Sequence, residues 1–258
     1  MSLFKSEDDW LNFCQYLTYR NRYILDPVSE DFLAALNDTS KKRTSTVESG
    51  KIFYRSRIGS DKGWHHHDSN KFSVGDYYFR GAISPDKMGP PPSEVSPNGR
   101  MNPNGVSYLY LAGDRETAIA EMRPWLGEEI SVGEFELLKD VRLLDTSNDN
   151  TLDTNLNHNA KPRNIENLIW GRINQTLSTP VLKDEKNFKY APTQYLAEYF
   201  KNRGFHGMIY RSSLRQGGRN YVVFDPQLCV CKNSQLFFVT KIQYEFDTVD
   251  AQTKSAWL

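Results

Sequence analysis

Cysteine is scarce in this chain: three in 258 residues, at positions 14, 229 and 231. So sparse and odd a set excludes a disulfide framework and fits a reducing cytoplasm. An excess of charge is also missing, since 32 basic residues balance 32 acidic ones. Proteins that hold nucleic acid or an anionic bilayer usually carry a basic surplus, so neither partner is expected. No apolar run approaches the length of a membrane span, and the opening MSLFKSEDDWLNF is acidic without the apolar core of a signal peptide. Familiar signatures are absent: no GxxxxGK[ST], no GxGxxG, no HExxH and no pair of CxxC motifs. The run His65-His66-His67 has ligand chemistry, but adjacent side chains of an extended segment point to opposite sides. No acidic or cysteine set nearby completes a site, so no metal is expected. Cys229 and Cys231, two apart in an apparent strand, share a face and are expected to pack.

What is present suffices for a sizeable core: 38% hydrophobic and 13% aromatic residues. The length suggests one large domain or one with a small appendage. Residues 1–45 read as a helical segment. Ser6 is placed to cap a helix bearing Trp10, Phe13, Cys14 and Leu17; Ser29 is placed to cap one bearing Phe32, Leu33 and Leu36. The polar run NDTSKKRTSTVESG (37–50) reads as a linker, followed by a main domain over 51–258.

In that domain KIFYRSRI, VSYLYLA, EISVGEFELL, VRLLD, GMIYRSS, NYVVFDP and LFFVTKIQYEF read as strands. Helices are expected over DRETAIAEMR with Asp114 as cap, over 165–178, and over TQYLAEYFKNRG with Thr193 as cap and Gly204 as stop. Strands among irregular loops with few helices indicate an α+β fold. Residues 81–105 hold six of the twelve prolines and four glycines, the mark of a functional loop.

The stretch GRMNPNGVSYLYLAGDRETAIAEMRP (99–124) joins that loop to a strand and a helix. At 100° per residue, Ala118, Ile119 and Met122 share a face of the helix, and Glu121 lies roughly 60° from Ala118 at its border. A carboxylate there is either paired or lines a cleft, because an isolated buried charge is costly. Arg100, in a glycine- and proline-shaped loop, can clamp a carboxylate or phosphate through its planar fork. Tyr110 shares a strand face with Tyr108. Taken singly, each residue fits an ordinary structural role as well.

Five elements in order, IFYRSR (52–57), GRMNPNG (99–105), YLYLAGDRETAIAEMRP (108–124), APTQYLAEYF (191–200) and GMIYRSSLRQGGRNYVVFDP (207–226), resemble the RES domain, named for its arginine, glutamate and serine. The resemblance implies an ADP-ribosyltransferase-like mixed sheet and an enzyme that degrades NAD by cleaving the nicotinamide N-glycosidic bond. Phosphate or water would be the acceptor. It also implies a toxin of a toxin–antitoxin or defence system, in the cytoplasm, with an inhibitory antitoxin or regulatory protein as partner and a homo-oligomer as one arrangement. NAD would be substrate rather than cofactor, and phosphate a co-substrate.

Carried over by position, Arg100, Tyr110 and Glu121 match the family's arginine, tyrosine and glutamate. Ser212 matches its serine, with adjacent Ser213 as the other register. Arg55 matches a second arginine, with Arg57 as fallback, and Asn220 a recurrent asparagine. The N-terminal helices, the longer 58–98 loop and the extension beyond Pro226 depart from the compact toxins. Two other readings stay open: transfer of ADP-ribose to a macromolecule, and a nucleotide- or protein-binding module without catalysis.

Overall fold

A computed structural model describes residues 3–65, 77–147, 165–181 and 185–243. His66 and His67 lie outside the described residues.

The fold is α+β, as expected, around an eight-stranded mixed sheet. Its strands in chain order are β1 (Thr44–Val47), β2 (Ile52–Ile58), β5 (Leu109–Ala112), β6 (Glu129–Leu137), β7 (Val141–Asp145), β8 (Gly207–Arg211), β9 (Arg219–Val223) and β10 (Cys229–Phe238). In space they run β1-β7-β8-β9-β5-β2-β6-β10. Only β7 and β8 pair in parallel; every other neighbouring pair is antiparallel. Strands β3 (Asp61–His65) and β4 (Tyr77–Gly81) form a separate ribbon.

Alternation along the strands feeds two cores. Met208, Tyr210, Val222 and Tyr108 face a core that includes α4 (Ile165–Ser178) and α6 (Ala191–Lys201). The helices α1 (Asp9–Tyr19) and α2 (Pro27–Ser40) join the same core through Trp10, Phe13, Phe32 and Leu36. Two indole N–H groups lock these layers: Trp10 Nε1 donates to Thr176 Oγ1 and Trp170 Nε1 to Thr39 Oγ1, each over 3.0 Å. Leu109, Leu111, Ile209 and Val223 point the other way, with Met88 and Leu228.

Several local expectations shift. Asp26, not Ser29, caps α2: its Oδ1 accepts the Ser29 N–H at 2.8 Å, because Pro27 opens the helix two residues earlier. Helix α1 begins at Asp9, and Ser6 Oγ accepts the Asp8 N–H instead of capping the first turn. The polar run at 37–50 is no linker; it ends α2, turns through Lys41–Arg43 and forms β1. TSTV has no apolar signal of its own and is extended by antiparallel pairing with β7. Thr193 lies inside the first turn of α6, which starts at Ala191, and its hydroxyl donates to carbonyls rather than capping. Gly204 does end that helix, at φ +77°, with the Phe205 N–H reaching back to Phe200 O. Strand β10 starts at Cys229 and stops at Phe238, so it covers the polar KNSQ that the expected strand omitted. Cys229 and Cys231 both pack into the second core.

Candidate functional site

The site forms where the sheet splits. Strand β2 pairs with β6 along seven residues but with β5 only at Tyr54↔Ala112. Beyond that point β2 diverges, and Arg55 spans the gap, donating through Nη1 to Tyr110 O at 3.3 Å. The resulting cleft encloses about 290 Å³ and is lined by Arg55, Ser56, Arg100, Tyr110, Glu121 and Asn220 among others.

Its floor is a row across four strands. Tyr210 of β8 faces Asn220 of β9, Asn220 faces Ala112 of β5, and Ala112 faces Tyr54 of β2. Cross-strand partners point to one face, so all four line the cleft. Strand spacing places the backbones of the two tyrosines about 14 Å apart, with a small alanine between them.

Helix α3 (Arg115–Glu121) closes one side. Asp114 caps it as expected, accepting the Thr117 N–H at 2.8 Å. Glu121 is its last residue, exposed at the cleft rim rather than half-buried. Two donors converge on one of its oxygens: Ser212 Oγ and Asn220 Nδ2 each reach Oε1 at 2.7 Å. Oε2 takes no protein donor among the described residues. Arg123, two residues on, adopts φ +48°, a left-handed turn that takes the chain out of α3 before Pro124.

Geometry separates the two adjacent serines. Ser212 reaches Glu121, while Ser213 is exposed and makes no such contact. The loop carrying them is clamped by Arg215, whose Nη1 donates to Asp114 Oδ1 at 2.9 Å and Glu116 Oε2 at 3.2 Å. The Ser212 N–H bonds Gly218 O at 2.9 Å. Gly218 has no room for a side chain, since a Cβ there would come within 2.6 Å of Thr117 Oγ1.

Arg100 enters from the opposite side on the 81–105 loop, which is firmly held. Thr193 Oγ1 donates to Arg100 O at 2.5 Å, and Gln194 Nε2 donates to Gly99 O and Asn102 O. The buried Asn102 donates to Pro97 O, Pro103 O and Val106 O. The guanidinium of Arg100 donates to Leu177 O and Thr179 O at the end of α4, where unsatisfied carbonyls favour a cation. It also stands 5.9 Å from the centre of the Tyr210 ring.

Tyr110 presents its ring to the cleft but not its hydroxyl, which donates to Asn102 Oδ1 at 2.8 Å and accepts the Met101 N–H at 2.9 Å. Burial pushes its ionisation far above the usual phenol range. Of the two β2 arginines, Arg55 lines the cleft; Arg57 is committed to Gly89 O. Burial, and secondarily the neighbouring Arg57, press the Arg55 pKa down to about 10. Arg55 Nε and Ser56 Oγ are buried without hydrogen-bond partners. A buried guanidinium facing a cleft, with no acidic partner among the described residues, suits an anionic ligand. Among the described residues, no three His, Cys, Asp or Glu side chains converge to hold a metal ion.

Tyr54, Ser56, Tyr210, Asn102 and Arg215 were not singled out as site residues from the sequence. The first three are found by strand register and the last two only by loop packing.

The fold and cleft together define an α+β protein with an acidic residue and two arginines facing a split in its sheet. The RES domain model matches residues 74–247, two thirds of the chain, and the protein belongs to that family. The match includes Arg100, Tyr110, Glu121, Ser212 and Asn220 but begins after β2, so Arg55 lies upstream of it. No curated protein matches the chain. Among solved structures, the crystal structure of the M.tuberculosis MbcT-MbcA toxin-antitoxin complex contains a similar chain. The identity is 13%, the coverage 78% of this chain and 91% of that one, and the TM-score 0.40. No described helix is long and apolar enough to cross a membrane.

Proposed function

We propose that this protein degrades NAD by cleaving the bond between nicotinamide and ribose, with phosphate or water as acceptor. The observation that carries the reading is the Glu121 carboxylate: Oε1 is held by Ser212 and Asn220, while Oε2 is left to a ligand. Loss of nicotinamide develops positive charge on the ribose, as in glycoside hydrolysis. A carboxylate fixed in advance stabilises that charge as it appears and needs no reorganisation. The C1′–N1 bond breaks with its electron pair passing to nicotinamide, and an acceptor oxygen forms the new bond to C1′.

Arg55 and Arg100, which both line the cleft, supply cations for the diphosphate. At about 290 Å³ the cleft is small for a ligand pocket, so it takes the nicotinamide end of NAD while the adenosine end lies over the rim. Ser212 acts as a positioning group, since its hydroxyl is spent on Glu121. In this reading the protein is a cytoplasmic toxin whose antitoxin would restrain the activity.

The test is product analysis of NAD incubated with the purified protein, with and without inorganic phosphate. ADP-ribose 1-phosphate formed only with phosphate identifies phosphorolysis, and ADP-ribose identifies hydrolysis. Label retained on a macromolecule identifies transfer, and intact NAD overturns the reading.

A further inference from the structure

Tyr210 is a buried side chain of the cleft that the mechanism above leaves unused. It is 7% exposed, and it borders the cleft together with Glu121 and Arg100. The contrast with Tyr110 is direct. The Tyr110 hydroxyl is saturated by Asn102 and Met101, whereas the Tyr210 hydroxyl has no hydrogen-bond partner among the described residues. The ring is buried but the residue lines the cleft, and a phenol O–H with no protein acceptor among the described residues has a donor to offer a ligand.

Register fixes what the phenol faces. Tyr210 pairs across β8 and β9 with Asn220, and Asn220 holds the Glu121 carboxylate. Tyr210 therefore stands beside the group that would meet the ribose, with the Arg100 guanidinium over its ring. We infer that Tyr210 is a further catalytic residue, whose hydroxyl donates a hydrogen bond to the carboxamide oxygen of the departing nicotinamide. This rests on the proposed NAD-cleaving function.

The chemistry favours a donor there. Before cleavage the pyridinium is cationic and its carboxamide oxygen is a poor acceptor. As the C1′–N1 electron pair moves onto the ring, the cation is discharged and that oxygen gains electron density. A fixed O–H donor then binds the transition state better than the substrate, and such an interaction raises kcat. Burial raises the phenol's pKa to about 12, so the proton is in place across the neutral range.

The experiment compares wild-type protein and Tyr210→Phe, which keeps the buried ring and deletes only the hydroxyl. Two substrates are used: NAD, and an NAD analogue whose pyridinium ring carries no carboxamide. The variant is expected to cleave NAD with kcat lowered about tenfold and KM little changed. Its melting temperature should stay close to that of wild type, because the deleted hydroxyl holds no partner among the described residues. With the analogue, wild type and variant should turn over at the same rate, which a merely structural role for the hydroxyl would not produce. Equal NAD kinetics in the two proteins overturns the Tyr210 assignment alone. An equal tenfold loss on both substrates overturns the carboxamide contact. Failure of wild type to release nicotinamide from NAD overturns the NAD reading and this assignment with it.

Discussion

The Ser212 hydroxyl donates to Oε1 of Glu121 over 2.7 Å, which ties the exit of β8 to the last residue of α3. Asn220 reaches the same oxygen, so one carboxylate oxygen is immobilised twice and the other is left open. Glu121→Gln is expected to lower kcat on NAD by at least about 100-fold, with the fold intact by circular dichroism. Ser212→Ala should cost about tenfold in kcat, a hydrogen bond's worth, and Ser213→Ala less than about twofold. Equal losses from the two serine variants would count against the positioning contact.

Tyr110 and Asn102 act on the scaffold. Tyr110→Phe leaves Asn102 Oδ1 and the Met101 N–H without their partner. It is expected to destabilise the protein by about 1–3 kcal/mol, read by urea unfolding. Tyr210→Phe should show the opposite pattern, with kcat on NAD lowered and stability kept.

Arg55 should show a trade between stability and binding. Its guanidinium is buried with Nε unpaired, so Arg55→Met removes an uncompensated charge while keeping an apolar stem. The melting temperature is expected to rise by about 2–4 °C, and NAD affinity in calorimetry to fall. The pH dependence has a definite sign. A folded pKa of about 10 lies below that of the unfolded arginine, so the unfolded state binds more protons between the two values. Stability contributed at this site therefore rises with pH above about 10 and is flat below it, and the Met variant should lose that dependence.

Gly99 has no room for a side chain: a Cβ would fall 2.2 Å from Asn102 Oδ1 and 3.0 Å from the Tyr110 hydroxyl. Gly99→Ala is expected to displace the loop that carries Arg100, lowering both the melting temperature and NAD turnover. A fully active and stable variant would show that the loop yields at no cost.

Arg215 holds the Ser212 loop through Asp114 and Glu116, in pairs that are partly exposed. Arg215→Ala should therefore cost less than about 1 kcal/mol of stability. The kcat should fall several-fold as Ser212 loses its fixed place, and raised salt should reproduce part of the loss in wild type.

Much of the site was legible before the fold. The Asp114 cap, the short helix and Glu121 at its border follow from residue types and the 3.6-residue period. That period could not say that Glu121 would sit exposed at the rim, because α3 ends there and leaves no following turn to cover it. Strand β1 escaped notice because TSTV carries no apolar alternation, and pairing with β7 supplies what propensity does not. Tyr210 served in the sequence only to place the serine after it.

By itself the sequence determined an α+β chain with matched elements in order and an arginine, a tyrosine and a glutamate in one stretch. Local preferences and spacing suffice for that, since each rests on neighbours within a turn or a strand. The tertiary structure alone decided that Ser212 and not Ser213 meets Glu121, that Arg55 and not Arg57 lines the cleft, and that the Tyr110 hydroxyl is spent on its own loop while that of Tyr210 has no partner among the described residues. Those outcomes depend on strand register and on the split between β2 and β5. They join residues as far apart as Ser212 and Glu121, 91 positions along the chain, and no local period carries information over that distance.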